Sequence, residues 1–294
     1  MKRIRNRGPL VAVSIIVLLL ASCAGTTENG TDSLGVLRST DGTATWTSLG
    51  QAHMQNSSVW PVDPTGFLLN GHIVLYFVDF GRLNQPVPQS LYRATSADGV
   101  NFDRPQPVYT QPATMVDPFV LPMPGGLFRA YIPSEQEGVI SVLSNNGLAF
   151  TRETGIRIGF GAGGMPAALL LPDNRVRLFV NGSNDGQDGI FSLISDDGLN
   201  FTVESGMRIP APPGFIVNDA QPIRLLDGSY LMLYQMLNAT LMDQPAPWTY
   251  TELRLAASAD ALNWTVDPRV IGYGGTSCIV QAVDGALFIY YVNR

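Results

Sequence analysis

Ser195-Asp196-Asp197-Gly198-Leu199-Asn200-Phe201 is one of five versions of a single short phrase. The others are Ser39-Thr40-Asp41-Gly42-Thr43-Ala44-Thr45-Trp46, Ser96-Ala97-Asp98-Gly99-Val100-Asn101-Phe102, Ser144-Asn145-Asn146-Gly147-Leu148-Ala149-Phe150 and Ser258-Ala259-Asp260-Ala261-Leu262-Asn263-Trp264. Each has the chemistry of a tight hairpin. Asp or Asn hydrogen-bonds the local backbone, glycine takes a positive φ without steric penalty, and the closing aromatic returns to a packed layer. Ala261 alone departs from the glycine rule. The closing aromatics stand at 46, 102, 150, 201 and 264, a spacing that suits one four-stranded propeller blade per copy.

A second repeat interleaves with the first: an apolar strand, a turn at a fixed offset, then a strand rich in aromatic and branched residues. Its copies run Val62 to Val78, Val116 to Ile132, Gly164 to Val180, Asn218 to Gln235 and Thr276 to Val292. Five copies of each half predict an all-β, five-bladed β-propeller of four-stranded antiparallel blades. The chain opens on an outer hairpin (Leu34 to Trp46) and ends on an inner one (Thr276 to Val292), so the N-terminal and C-terminal strands are expected to share the last blade. That closure removes the exposed edges of an open ring. No composition break divides 34–294, and one blade cannot bury its faces alone, so one domain is expected there.

The first 22 residues read as a signal peptide, with Lys2, Arg3, Arg5 and Arg7 ahead of an apolar run from Pro9 to Leu20 that is short for a membrane span. The junction Leu20-Ala21-Ser22-Cys23 resembles a bacterial lipoprotein box, which implies cleavage before Cys23, lipid on its thiol, and a membrane-anchored protein of the cell envelope facing outside the cytoplasm. Residues 23–33 then form a flexible tether. Losing the leader leaves 14 basic against 24 acidic residues, a net charge of about −10, so nucleic acid is not an expected partner. With Cys23 lipidated, Cys278 has no partner, and its Thr-Ser-Cys-Ile-Val setting is that of a buried small hydrophobe. His53 and His72 are the only histidines, and no ligand-spaced Cys/His cluster exists, so neither a metal nor another cofactor is expected. The stretch from Asn181 to Gly189 has oxygen ligands but lacks the closing Glu of a calcium loop and reads as a polar turn.

In a propeller the innermost strands line the central channel, so the starts of the inner repeats converge although far apart in sequence. They read Val62-Asp63-Pro64, Val116-Asp117-Pro118, Gly164-Met165-Pro166, Asn218-Asp219-Ala220 and Thr276-Ser277-Cys278. Convergent carboxylates repel, which raises at least one pKa and lets one acid hold a proton while another stays ionised. Trp60 ahead of Asp63 and Phe160 ahead of the third inner strand are candidate stacking platforms for sugar rings, with packing between blades as the alternative. Asp41, Asp98 and Asp197 belong to outer hairpins and read as structural.

On these Asp-Pro pairs and the five-blade pattern, the chain resembles the five-bladed β-propeller glycosidases: arabinanases, invertases and levansucrases, with glycoside hydrolase family 43. The resemblance covers Leu34 to Arg294. It implies that Asp63 is the catalytic base or nucleophile and Asp117 a positioning, pKa-tuning group. The family's third-blade Glu-x-Pro acid is missing, since Gly164 stands where that Glu would be; Asp219 or Glu135 are the substitutes available. The outer turn also looks like the Asp-box of sialidases, with one residue fewer between Asp and Gly. Two functions follow. One is a glycosidase-like enzyme acting on an oligosaccharide at the envelope. The other is a non-catalytic propeller whose acidic funnel binds a glycan or a protein.

Overall fold

A computed structural model of the chain describes residues 34–79, 81, 88–134 and 137–293. They form five antiparallel sheets, one after another around a ring: a five-bladed β-propeller with almost no helix. Blade 1 is built on Pro61–Leu69, His72–Asp79 and Gln89–Ser96. Blade 2 uses Phe119–Pro122, Phe128–Ser134 and Gly138–Ser144, and blade 3 uses Gly164–Leu170, Val176–Asn184 and Gln187–Ser195. Blade 4 uses Phe215–Arg224, Tyr230–Asn238 and Glu252–Ser258. The fourth strands are only two residues long: Asn101–Phe102, Thr151–Arg152, Thr202–Val203 and Thr265–Val266. In blade 1 a longer outer segment, Gln106–Gln111, pairs with the same third strand, and the outer strand of blade 5 is Thr47–Gln51.

Blade 5 closes the ring as the repeat order predicts. Leu34–Ser39 lies between Thr47–Gln51 and Leu287–Val292, paired from Leu34 with Val292 to Ser39 with Leu287, and Gly275–Gln281 completes the sheet on the channel side. The second strand of each blade is covered on both faces by neighbouring blades, so it reads as a continuous apolar run. In His72–Asp79, every residue from Ile73 to Val78 is buried.

The outer turns work as the phrase suggests. The Ser195 hydroxyl accepts the Gly198 N–H (2.9 Å), and Asp197 accepts the N–H groups of Leu199 and Asn200 (2.7 and 2.8 Å) and the Asn200 side-chain amide (2.8 Å). Three of the five turns are also docked onto the preceding blade by a tyrosine. Tyr76 donates its hydroxyl to the Gly147 carbonyl (2.8 Å), Tyr131 to Gly198 (2.9 Å) and Tyr290 to Gly99 (2.8 Å). A Cβ at Gly147 would come within 2.5 Å of the Tyr76 hydroxyl, and its φ is +71°, so the glycine is required twice over. The exception at Ala261 has its own logic. The residue facing it from blade 3 is Phe179, which has no hydroxyl; the Ala261 carbonyl is instead satisfied by Trp264 Nε1 (3.0 Å), whose ring packs edge-on against Phe179.

Candidate functional site: the carboxylate mouth of the channel

Inner strands of blades 1, 3 and 4 begin with a break in register, between Val62 and Thr65, Gly164 and Ala167, and Asn218 and Gln221; blade 5 breaks between Gly275 and Ser277. At the break the backbone turns left-handed on a residue with a side chain: φ is 50° at Asp63, 47° at Met165 and 49° at Asp219, and 45° at the matching Asp117 of blade 2. Asp tolerates this region through local hydrogen bonding, whereas Met does not, so Met165 is held there by the fold. The residue equivalent to the three aspartates in blade 3 is therefore Met165, one position after Gly164, and in the described residues that blade offers no carboxylate at this level.

The bulges of blades 1 and 4 and the left-handed turn at Asp117 bring Asp63, Asp117 and Asp219 to one cavity of about 10 Å³, completed by Met165, Gln221 and the prolines 64, 118 and 166. That is room for a single water-sized group. The three carboxyls are held differently. Asp63 is buried, donates its N–H to Thr276 Oγ1 (3.0 Å) and accepts the Asp117 N–H (3.0 Å). Asp219, also buried, accepts from Gln221 (3.0 Å) on one oxygen, and on the other from Gln235 (2.8 Å), the Ser277 N–H (2.8 Å) and the Ser277 hydroxyl (3.3 Å). Asp117 is half-buried, and among the described residues no donor reaches its carboxyl.

Charge follows from these contacts. Burial pushes all three carboxyls above their ordinary range. Asp219 rises to about 6, with its hydrogen bonds opposing the burial. Asp117 is raised well above the usual value by burial and then by the charges of Asp63 and Asp219. The cavity thus sets a strongly raised, unbonded carboxyl beside two bonded ones, an asymmetry of the kind general acid and base work uses. Among the described residues no group of three acidic, Cys or His side chains is arranged to hold a metal ion.

Of the other residues singled out from sequence, Phe160 is 54% exposed, in the connection leading to Gly164 at the mouth. Trp60 is half-buried against the core shared by blades 1 and 2, and its N–H donates to Asp79 (3.0 Å). Cys278 is buried in the inner strand of blade 5. The stretch from Asn181 to Gly189 is a strand hairpin turning at Asp185-Gly186, both with positive φ. Glu135 and Cys23 lie outside the described residues, as does the rest of 1–33.

Sequence reasoning missed the residues that hold the aspartates (Gln221, Gln235, Thr276, Ser277) and two further exposed aromatics, Tyr250 (47%) and Tyr273 (54%). Tyr250 belongs to a short 3-10 turn, Pro247–Tyr250, that packs against the strands Gly272–Tyr273 and Gly275–Gln281. A signal was present. An aromatic stands three to five residues ahead of the left-handed position, or of its counterpart Thr276, in four blades: Trp60, Phe160, Phe215 and Tyr273.

The fold recurs in solved structures. The chain aligns with an α-L-arabinofuranosidase from Clostridium thermocellum at a TM-score of 0.55 and 16% identity, over 79% of this chain and 82% of that one. It shares the fold of the five-bladed propeller glycosidases. An endo-arabinase from Bacteroides thetaiotaomicron aligns at 0.56 and 13% identity (78% and 88% covered), and a family 117 glycoside hydrolase from Zobellia galactanivorans at 0.51 and 13% (91% and 88%). No protein-family model matches the sequence, and no curated protein matches it significantly. At such identities the likeness is one of fold.

Proposed function

We propose that the carboxylate mouth recognises an oligosaccharide. The observation that carries this reading is Asp117: a half-buried carboxyl that no donor among the described residues reaches, lining the same cavity as two carboxyls that are already bonded. An unsatisfied acidic group in a polar concavity is suited to a hydroxyl, which can both donate and accept. The cavity admits one oxygen-sized group, so the sugar ring itself lies over the mouth; Phe160 and Tyr273, exposed in the connections that lead to the inner strands of blades 3 and 5, are the aromatic faces to test beside it. The propeller glycosidases of the same fold, whose names specify arabinofuranosidase and arabinase activities, make a pentose-rich plant polysaccharide the first ligand class to try. Calorimetric titration with arabino-, xylo- and fructo-oligosaccharides tests it: Asp117→Asn weakens binding at least tenfold, and equal affinity in wild type and variant rejects the reading.

Hydrolysis is the second reading, and one feature favours it. Asp117, its carboxyl raised by burial and by the charges of Asp63 and Asp219, is the candidate acid where the third blade has Met165, leaving Asp63 as base or nucleophile. On that mechanism Asp63→Asn abolishes turnover while ligand affinity stays within a few-fold, because the loss falls on the transition state. Absence of turnover above blank with any glycoside that binds the mouth would remove this reading and leave recognition alone.

We also propose that the protein is exported and lipid-anchored at Cys23. The support is the Leu20-Ala21-Ser22-Cys23 junction after a basic, apolar leader. Cys23→Ser should move the protein from the detergent phase to the aqueous phase in a partition assay; unchanged partition would sink the anchor.

A further inference from the structure

The chain enters the propeller at Leu34, on the face that carries the carboxylate mouth. Leu34 pairs with Val292, and Val292 pairs with Gly275, the first residue of the inner strand of blade 5. The next two residues of that strand reach the site: Thr276 accepts the Asp63 N–H (3.0 Å), and Ser277 donates its N–H to Asp219 (2.8 Å). Leu34 therefore stands level with the site, two strand spacings or about 10 Å outward from Gly275. From there Leu34–Ser39 runs away from the mouth, to Ser39 beside Leu287, which itself pairs with Gln281 at the far end of the inner strand. The segment ahead of Leu34 accordingly joins the ring on the mouth face.

Only ten residues, 24–33, separate Leu34 from Cys23. A segment of that length averages about 18 Å between its ends and cannot exceed about 35 Å. The ring is deeper than that average. Second strands of eight and nine residues in blades 1 and 4, His72–Asp79 and Tyr230–Asn238, make it roughly 30 Å from mouth to far face. With lipid on Cys23, bringing the far face to the membrane would draw those ten residues almost straight along the side of blade 5, with the loss of nearly all their conformational freedom. With the mouth toward the membrane no such extension is needed. Exposed aromatics fall on the same side. Among the described residues, the rings more than a third exposed are Phe160, Tyr250 and Tyr273. Phe160 and Tyr273 lie in the connections entering the inner strands of blades 3 and 5, and Tyr250 in the connection after Asn238, which pairs with Phe215 at the mouth end of blade 4. Tyrosine in particular suits a boundary that is apolar on one side and wet on the other.

We propose that the mouth faces the membrane holding the anchor, and that its ligand is a saccharide displayed on that membrane, a glycan head group, in preference to a free polysaccharide. This rests on the glycan reading of the mouth and on the Cys23 anchor. Holding site and saccharide on one surface makes their encounter effectively intramolecular, at millimolar effective concentration for a short link. A long free polymer has to enter the gap between propeller and bilayer.

The test uses the mature lipidated chain in vesicles, with a fluorescent label on one introduced cysteine, since Cys278 is buried. Thr249→Cys marks the mouth face and Val283→Cys the far face, both at exposed positions. Energy transfer to a dye on the lipid head groups should be at least twofold greater from 249 than from 283. A Gly-Ser insertion of about 40 residues after Ser33 should even the two out. In a second arm, the oligosaccharide that binds the detached Cys23→Ser protein best is offered to the anchored protein, either on a lipid of the same vesicle or free. The lipid-borne form should half-saturate the site at a bulk concentration at least tenfold lower. The proposal is overturned by equal transfer from the two positions, by more from 283, by a difference that survives the insertion, or by no advantage of the lipid-borne saccharide. Failure of the chain to stay on vesicles overturns it through the anchor, and absence of saccharide binding to the detached protein overturns it through the glycan reading, each seen apart from the orientation.

Discussion

Aspartate appears in two repeating places in this propeller, and the two are electrostatic opposites. At the outer turns, Asp98, Asp197 and Asp260 are exposed and bonded by backbone N–H groups two and three residues on, and those bonds hold each carboxyl far below its ordinary range. At the inner starts, Asp63, Asp117 and Asp219 sit on left-handed backbone in a shared cavity, and burial pushes each upward. The outer carboxyls are stabilised by staying charged, while the inner ones cost stability when charged. The difference teaches that residue type and repetition do not separate scaffold from site. What separates them is whether the local turn supplies donors to the carboxylate or the neighbouring blades withhold solvent from it.

The largest effect should come from extending the inner set to the third blade. Met165→Asp adds a fourth carboxylate to a cavity with room for one water and should cost about 3 kcal/mol at pH 7, with part recovered near pH 4 as the cluster protonates; denaturant midpoints at both pH values check it. Next in size is the pH profile of the parent. Asp219 has a folded pKa of about 6 against 3.8 unfolded, so the protonated carboxyl favours the native state: that stability is fully present below pH 4 and is lost as pH rises through 6. The change is on the order of 3 kcal/mol from this group, and Asp63 and Asp117 act in the same direction. Asp117→Asn should flatten the profile and raise the pH 7 midpoint, because the carboxyl it neutralises has no hydrogen bond to lose.

The outer set should answer with the opposite sign. Asp197→Ala should cost about 1–2 kcal/mol at pH 7 by freeing two turn N–H groups and the Asn200 amide, and that cost should shrink as pH falls below about 4, where the carboxyl protonates in the unfolded chain while the folded one stays charged to far lower pH. Smallest is the blade contact on the same turns. Tyr131→Phe removes the bond to the Gly198 carbonyl and should cost about 1 kcal/mol, whereas Phe179→Tyr should gain nothing, since the Ala261 carbonyl is already taken by Trp264.

The fold was legible because its signals are local and repeated. Ser-x-Asp-Gly with a closing aromatic determines a turn by itself, and the order of half-blades determines that Leu34–Ser39 meets Leu287–Val292. The Asp-Pro pairs at 63 and 117 pointed to the mouth for the same reason, since each writes a left-handed turn into two adjacent residues. The groups that set the charge of the cavity were not legible. Gln235 and Ser277 reach Asp219 from 16 and 58 residues away, and Asp63 meets the Asp117 N–H across 54, contacts with no sequence signature of their own.

The account turns on the inner cluster being a ligand site and the outer aspartates being scaffold. The most direct measurement is paired titration of one oligosaccharide that binds the parent against Asp117→Asn and Asp197→Asn, both confirmed as folded at the working temperature. The account predicts at least a tenfold loss of affinity for Asp117→Asn and no change for Asp197→Asn. Unchanged affinity in Asp117→Asn, or an equal loss in both variants, would contradict it.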